Sequence, residues 1–417
     1  MNVFYYLMKQ NKVKNIFLIA LILISVLSID AQTVRDQFNN GKRYFNQKNY
    51  PRAKKSFTYV VNHNKAYSEA YTYRARIYMI MEMPDSALRD FNTSIDIQKD
   101  FIPNYYYRAR LYYSQKEYEK AEKDLTFVID NKPEFDPALF LRAKIYEING
   151  YDDYAVKDYN QLIANGTKNY MVYYKRGIYL SKNRKNSAAI KDFEKTLSYK
   201  YNFVDALYAL GNSHQVLGHH QKAIKYFSDA INLDNSYQKA YEKRALSYYS
   251  IKNYEKGVAD DRYLNTRFKI KNDTLYIRMA NAEKSMSNFI AADRYLAKAT
   301  SVNPKSTDAL LLRAEVAIEL ERESTAISYL KKIHRIDPKN DEAWFMQGEI
   351  LYGAKKYSEA INAFTSCVRI NNMSKAYYYR GIVYSSLRDN KNACKDIRKA
   401  ADLGYLPAKR DVKSVCR

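Results

Sequence analysis

A small residue returns at one place every 34 residues, and that recurrence narrows the fold more than any other feature of the chain. With frames opened at Val34, the eighth place holds Gly41, Ala75, Ala109, Ala143, Gly177, Gly211, Ala245, Ala280, Ala314, Gly348 and Gly381. Twelve residues further on stand Ala53, Ala87, Ala121, Ala155, Ala189, Ala223, Gly257, Ala292, Ala326, Ala360 and Ala393. One extra residue near Asn272 and one missing near Met373 are the only adjustments required. Self-similarity at this period marks stacked units, each too small to bury its apolar face alone.

Within a frame, apolar residues recur at three- and four-residue spacing in two blocks, broken by polar turns such as NQKNY, SQKEY and GAKKY. Each frame is therefore a helical hairpin. The fixed small residues let its two helices approach closely, and Phe57, Phe91, Phe193, Phe227 and Phe364 fill the space beside them. Pro133, Pro304 and Pro338 share one place just past the second helix, where proline ends a helix without costing an internal bond.

The pattern resembles the tetratricopeptide repeat signature, W-x2-L-G-x2-Y, then A-x3-F, then P. Trp344, Gly348, Ala360 and Phe364 carry it closely, as do Leu207, Leu210, Gly211, Ala223 and Phe227. The resemblance implies an all-α, right-handed superhelical solenoid, with a concave face lined by the first helix of each repeat. Solenoid residues 32–407 then hold repeats near 34–67, 68–101, 102–135, 136–169, 170–203, 204–237, 238–272, 273–306, 307–340, 341–373 and 374–407. A capping helix over 406–417 closes the end. The fold does not specify a ligand.

Arginine recurs at the seventh place as Arg74, Arg108, Arg142, Arg176, Arg244, Arg313 and Arg380. All but Arg313 have an aspartate sixteen residues later: Asp90, Asp124, Asp158, Asp192, Asp260 and Asp396. In a hairpin that turns at places fourteen and fifteen these residues lie opposite, which predicts bidentate, part-buried salt bridges between the helices of a repeat. Tyrosine is the most overused residue, with 43 copies. Tyr105 and Tyr112 occupy core places, whereas Tyr106, Arg110 and Tyr113 are expected to face the groove.

The fifth place gives an aromatic ladder, Phe38, Tyr106, Phe140, Tyr174 and Tyr208, beside basic Lys42, Arg76, Arg110 and Lys144 at the ninth. Rigid rings with basic neighbours anchor a protein or peptide partner, and favour an acidic one. The competing reading is that the rings pack against the next repeat and expose only an edge. The Lys and Asn set of the family's carboxylate clamp is not found.

At the amino terminus Lys9, Lys12 and Lys14 precede an apolar run from Ile16 to Ile29 and the small Ala31. Residues 1–31 read as an export signal, the run being short for a membrane span; an uncleaved anchor is the alternative. Export places the chain in a bacterial envelope, in the periplasm, at the outer membrane or secreted. The formal charge of +24 favours polyanions, and outside a cytoplasm that argues against nucleic acid and for acidic proteins, glycans or lipid head groups. Two rivals to a protein scaffold follow: a carbohydrate-binding module that stacks sugars on the ladder, and a charge-driven polyanion binder.

Five histidines without ligand or dyad spacing, and no P-loop, G-x-S-x-G or H-E-x-x-H, give no catalytic residue, no metal site and no cofactor to expect. Cys367 sits at a core place as a buried thiol. Cys394 and Cys416 fall opposite each other once the chain turns at Gly404 and Tyr405, and an oxidising compartment would join them.

Overall fold

A computed structural model describes residues 31–416, so the predicted export segment lies, apart from Ala31, outside the described residues. Every regular element among them is helical. Helices follow the predicted frames in pairs: residues 31–46 with Tyr50–His63, Ser68–Ile80 with Pro84–Ile97, and onward to Ser374–Ser386 with Asn390–Asp402. Leu406–Val415 forms the closing helix. The chain divides into two compact units, Met1–Tyr201 with the first five hairpins and Asn202–Arg417 with the remaining six and the cap. No described helix is long and apolar enough to cross a membrane.

Close approach of the paired helices explains the 34-residue register. Ala53, Ala87, Ala121 and Ala189 are fully buried, as are Phe57, Phe91, Phe193, Phe227 and Phe364 at the twenty-fourth place. Where that place holds phenylalanine, the eighth place is glycine in four repeats of five. A Cβ added at Gly348 would stand 2.5 Å from the Phe364 ring, and one at Gly177 2.7 Å from Phe193. With Leu125 at the twenty-fourth place, Ala109 fits instead. Gly348→Ala is therefore expected to lower the stability by about 1–3 kcal/mol, the cost of overpacking. Adding Phe364→Leu should recover part of that loss in urea titration, and strictly additive losses would refute this register.

Turns between the helices of a repeat follow one geometry. Each places its fifteenth residue in the left-handed region, with φ of 58° at Lys48, 61° at Lys116, 59° at Arg184 and 77° at Gly150. Glycine is the residue best suited there, yet charged side chains fill most of these turns. The thirty-fourth place, at the start of the next repeat, also carries an unusual residue. Tyr67, Phe101, Phe135, Phe203 and Tyr237 occupy helix N-cap positions without a side-chain cap bond. Asn169, Ser306 and Asn340 at that place do cap, accepting from the backbone amides of Met171, Ala309 and Ala343. The aromatic residues give up that bond for ring packing.

Candidate partner-binding surface

All six predicted arginine–aspartate pairs close as two-pronged bridges. Arg142 Nε and Nη2 donate to Asp158 at 2.9 and 2.7 Å, and Arg74–Asp90, Arg108–Asp124, Arg176–Asp192, Arg244–Asp260 and Arg380–Asp396 repeat the geometry. Burial raises the Asp158 and Asp260 carboxyls above the usual carboxylate range, outweighing the pull of Arg142 and Arg244. On the arginine side burial works downward, but the Asp158 hydrogen bond and charge carry Arg142 above its ordinary value. Desolvated carboxylates that still hold an arginine fork are structural, and they are not open to a ligand.

A third bond had no sequence expectation. In five of the six the remaining Nη1 reaches back to the preceding repeat: Arg108 to Asn92 at 2.8 Å, Arg142 to Thr126 at 3.1 Å, Arg176 to Asn160 at 2.9 Å, Arg244 to Ser228 at 3.0 Å and Arg380 to Thr365 at 3.0 Å. One arginine thus ties three helices. Arg313 compensates for its missing aspartate by bonding Asp293 and Thr300 of the preceding repeat. Tyrosines three residues before and four after frame Arg74, Arg108 and Arg244, as Tyr105 and Tyr112 do Arg108 at 5.5 and 5.9 Å.

Repeat seven departs from the pattern. Its twenty-fourth place holds Asp261, wholly buried, which accepts from Tyr249 Oη at 2.7 Å and from Arg278 Nε at 2.9 Å. Burial and the Asp261 carboxylate push the Tyr249 hydroxyl well above its usual pKa, so the phenol stays a donor.

The aromatic ladder is more enclosed than expected. Phe38, 4% exposed, is a core residue among Phe57, Tyr67 and Tyr73, because the thirty-fourth-place ring folds over it; it does not face a groove. The same ring position closes on Tyr106 through Phe135 at 5.1 Å and, in the second unit, on Tyr208 through Tyr237 at 5.5 Å. Burial raises the pKa of both tyrosines. Tyr106, Tyr113, Phe140, Tyr174 and Tyr208 are half-buried. Arg76 is also enclosed, its guanidinium lying 4.6 Å from Phe45, 5.1 Å from Tyr73 and 4.3 Å from Tyr107. Lys42 lies 4.0 Å from Glu69.

Arg110 and Lys144 remain exposed, over the rings of Tyr106 at 5.9 Å and Phe140 at 4.7 Å. Neither makes an ion pair among the described residues.

Cys394 and Cys416 come together at a Cα separation of 4.9 Å with their sulfurs joined. Cys367 is fully buried, and burial pushes its thiol up to about 12. Among the described residues no group of three His, Cys, Asp or Glu could hold a metal ion. His334 stacks on Trp344 and bonds Gln347 at 2.7 Å, an ordinary structural histidine.

Tetratricopeptide repeat family models match residues 204–237, 277–341 and 341–372. The C-terminal part of a tetratricopeptide repeat-containing protein from Cytophaga hutchinsonii is 17% identical, with a TM-score of 0.51 over 57% of this chain and 97% of that one. A tetratricopeptide repeat protein from Parabacteroides merdae is 16% identical, with a TM-score of 0.42 over 60% of this chain and 99% of that one. No curated protein matches the chain. The first likeness shows the shared fold.

Proposed function

We infer that this member of the tetratricopeptide repeat family is a protein–protein interaction scaffold, and we propose that it serves the bacterial envelope by holding an acidic partner segment on the first helices of its repeats. The observation that carries the proposal is the pair Arg110 and Lys144: exposed charges, seated on fixed rings and not committed to a carboxylate. Seating a cation on a ring limits the side-chain freedom that binding must remove. By contrast, Lys175 nearby is held by Glu147 at 3.0 Å. The lysines and apolar run of residues 1–31 support export, and with it an envelope partner.

The test is a pull-down from a detergent-solubilised envelope fraction, with the wild-type chain beside Arg110→Glu/Lys144→Glu. Surface charge reversal leaves the enclosed rings in place, so helicity should be unchanged. We expect a defined protein that the wild type recovers at physiological salt and the variant loses. Equal recovery by both removes these two residues from the interface.

A further inference from the structure

We propose that the outer face of the second helices in repeats nine to eleven docks an acidic segment of a partner protein. This rests on the scaffold reading but uses a different surface from Arg110 and Lys144. In repeat nine, Glu323–Ile336 exposes Lys331, Lys332 and Arg335 beside Ser324 and Ser328, around a shallow hollow of about 270 Å³. In repeat eleven, Asn390–Asp402 turns Lys391, Lys395, Arg398 and Lys399 into a hollow of about 630 Å³. Repeat ten, between them, exposes Asn362 and Arg369 at the matching register. None of these basic side chains forms an ion pair among the described residues.

The same register in repeats two to four of the first unit is built otherwise. There Arg89, Lys123 and Lys157 each follow an acid by four residues, Asp85, Glu119 and Asp153, so their helices carry their own compensating charge. In repeats nine to eleven the exposed acids on these helices are Glu323, Glu359 and Asp402, and of these only Asp402 stands three or four residues from one of the named cations, Lys399 and Arg398. An excess of positive charge on the second helices of repeats nine and eleven, with Arg369 exposed between them, calls for an anionic partner. The serine and asparagine side chains among the cations add directional donors and acceptors. A peptide backbone satisfies them along a line, as a layer of lipid head groups does not. The one ring that lines either hollow, Tyr377, is only partly exposed, and a single ring is no platform for stacked bases.

The full chain would be titrated, by fluorescence anisotropy at physiological salt, with a fluorescein-labelled peptide of alternating glutamate and glycine. Lys331→Glu/Arg335→Glu/Lys395→Glu/Lys399→Glu would be compared with Lys55→Glu/Lys123→Glu/Lys157→Glu/Lys191→Glu, an equal change of net charge in the first unit. We expect at least about a tenfold weaker peptide affinity for the first variant and less than about a threefold change for the second. Glutamine versions of the first variant should give the same ranking, which guards against misfolding by charge reversal. Equal losses in both variants, or no binding by the wild type, would overturn the proposal. So would tighter binding to heparin or to phosphatidylserine vesicles than to the peptide. If the envelope pull-down recovers no protein while this peptide binds as described, the scaffold reading fails and the surface stands. If a client is instead recovered equally by both quadruple variants, the scaffold stands and this surface is not where it docks that client.

Discussion

Arg142→Ala should destabilise the first unit by about 3 kcal/mol, and Asp158→Ala placed on top of it should add little. Asp158 is 5% exposed and Arg142 15%, so removing the guanidinium leaves a carboxylate desolvated with no counter-ion. Asp158→Ala alone strands the guanidinium instead. It remains bonded to Thr126 Oγ1 and lies near the exposed edge, so this loss should be the smaller. Because burial already raises Asp158, making the bridge contributes less than breaking it costs, and both single losses should exceed the interaction they report. Urea titration of the four proteins measures the cycle. Fully additive losses would mean the contact carries no coupling.

The fork to Asp158 and the Nη1 bond to Thr126 can be broken separately. Thr126→Val removes the acceptor for Nη1 but leaves the fork to Asp158 intact. Since that bond joins repeat three to repeat four, its loss bears on the interface between neighbours. In a solenoid, stability is approximately a sum of repeat and interface contributions. The arginine therefore serves both at once.

The parts of this structure legible in sequence are those in which one residue type answers one geometric demand. Gly348 and Ala109 announce the helix approach because only a small residue fits against Phe364 or Leu125. Arg142 and Asp158 announce each other because a guanidinium fork fits one partner shape. The acceptor of the arginine Nη1 is not legible in this way, although it also recurs at a sixteen-residue distance. Asn92, Thr126, Asn160 and Ser228 share an acceptor oxygen and not an identity, so no single letter repeats.

The enclosure of the ladder is hidden for a different reason. Fifth-place rings read as open when only the first helix is considered. The residue that covers them, Phe135 over Tyr106 or Tyr67 over Phe38, comes about thirty positions later, at an N-cap where an aromatic ring has no local role. A ring so out of place is the signal the sequence does carry. Asp261 is hidden in the same way, since its partner Arg278 lies in the next repeat beyond the extra residue near Asn272.

The carboxyl-terminal cap should depend on its cysteine pair more than on its own contacts. Leu406–Val415 has ten residues, too few for an isolated helix to persist in water. It buries Ala408 against Ile397 and Ala400, and Tyr378 Oη donates to Asp411 at 2.7 Å. A bond closing the 22-residue separation from Cys394 to Cys416 would remove enough chain entropy to contribute about 3 kcal/mol. Export is what would make that bond persist. The expectation is that non-reducing peptide mapping of protein recovered from the envelope yields the Cys394–Cys416 linked peptide, with Cys367 as the lone free thiol. Its burial makes it slow to alkylate, so it should label only after denaturation. Cys394→Ser/Cys416→Ser should then speed amide exchange across Leu406–Val415 and the second helix of repeat eleven, while the first unit exchanges as before. Two free thiols in the recovered protein, or unchanged exchange in the variant, would mean that Ala408 and Tyr378 hold the cap without the bond.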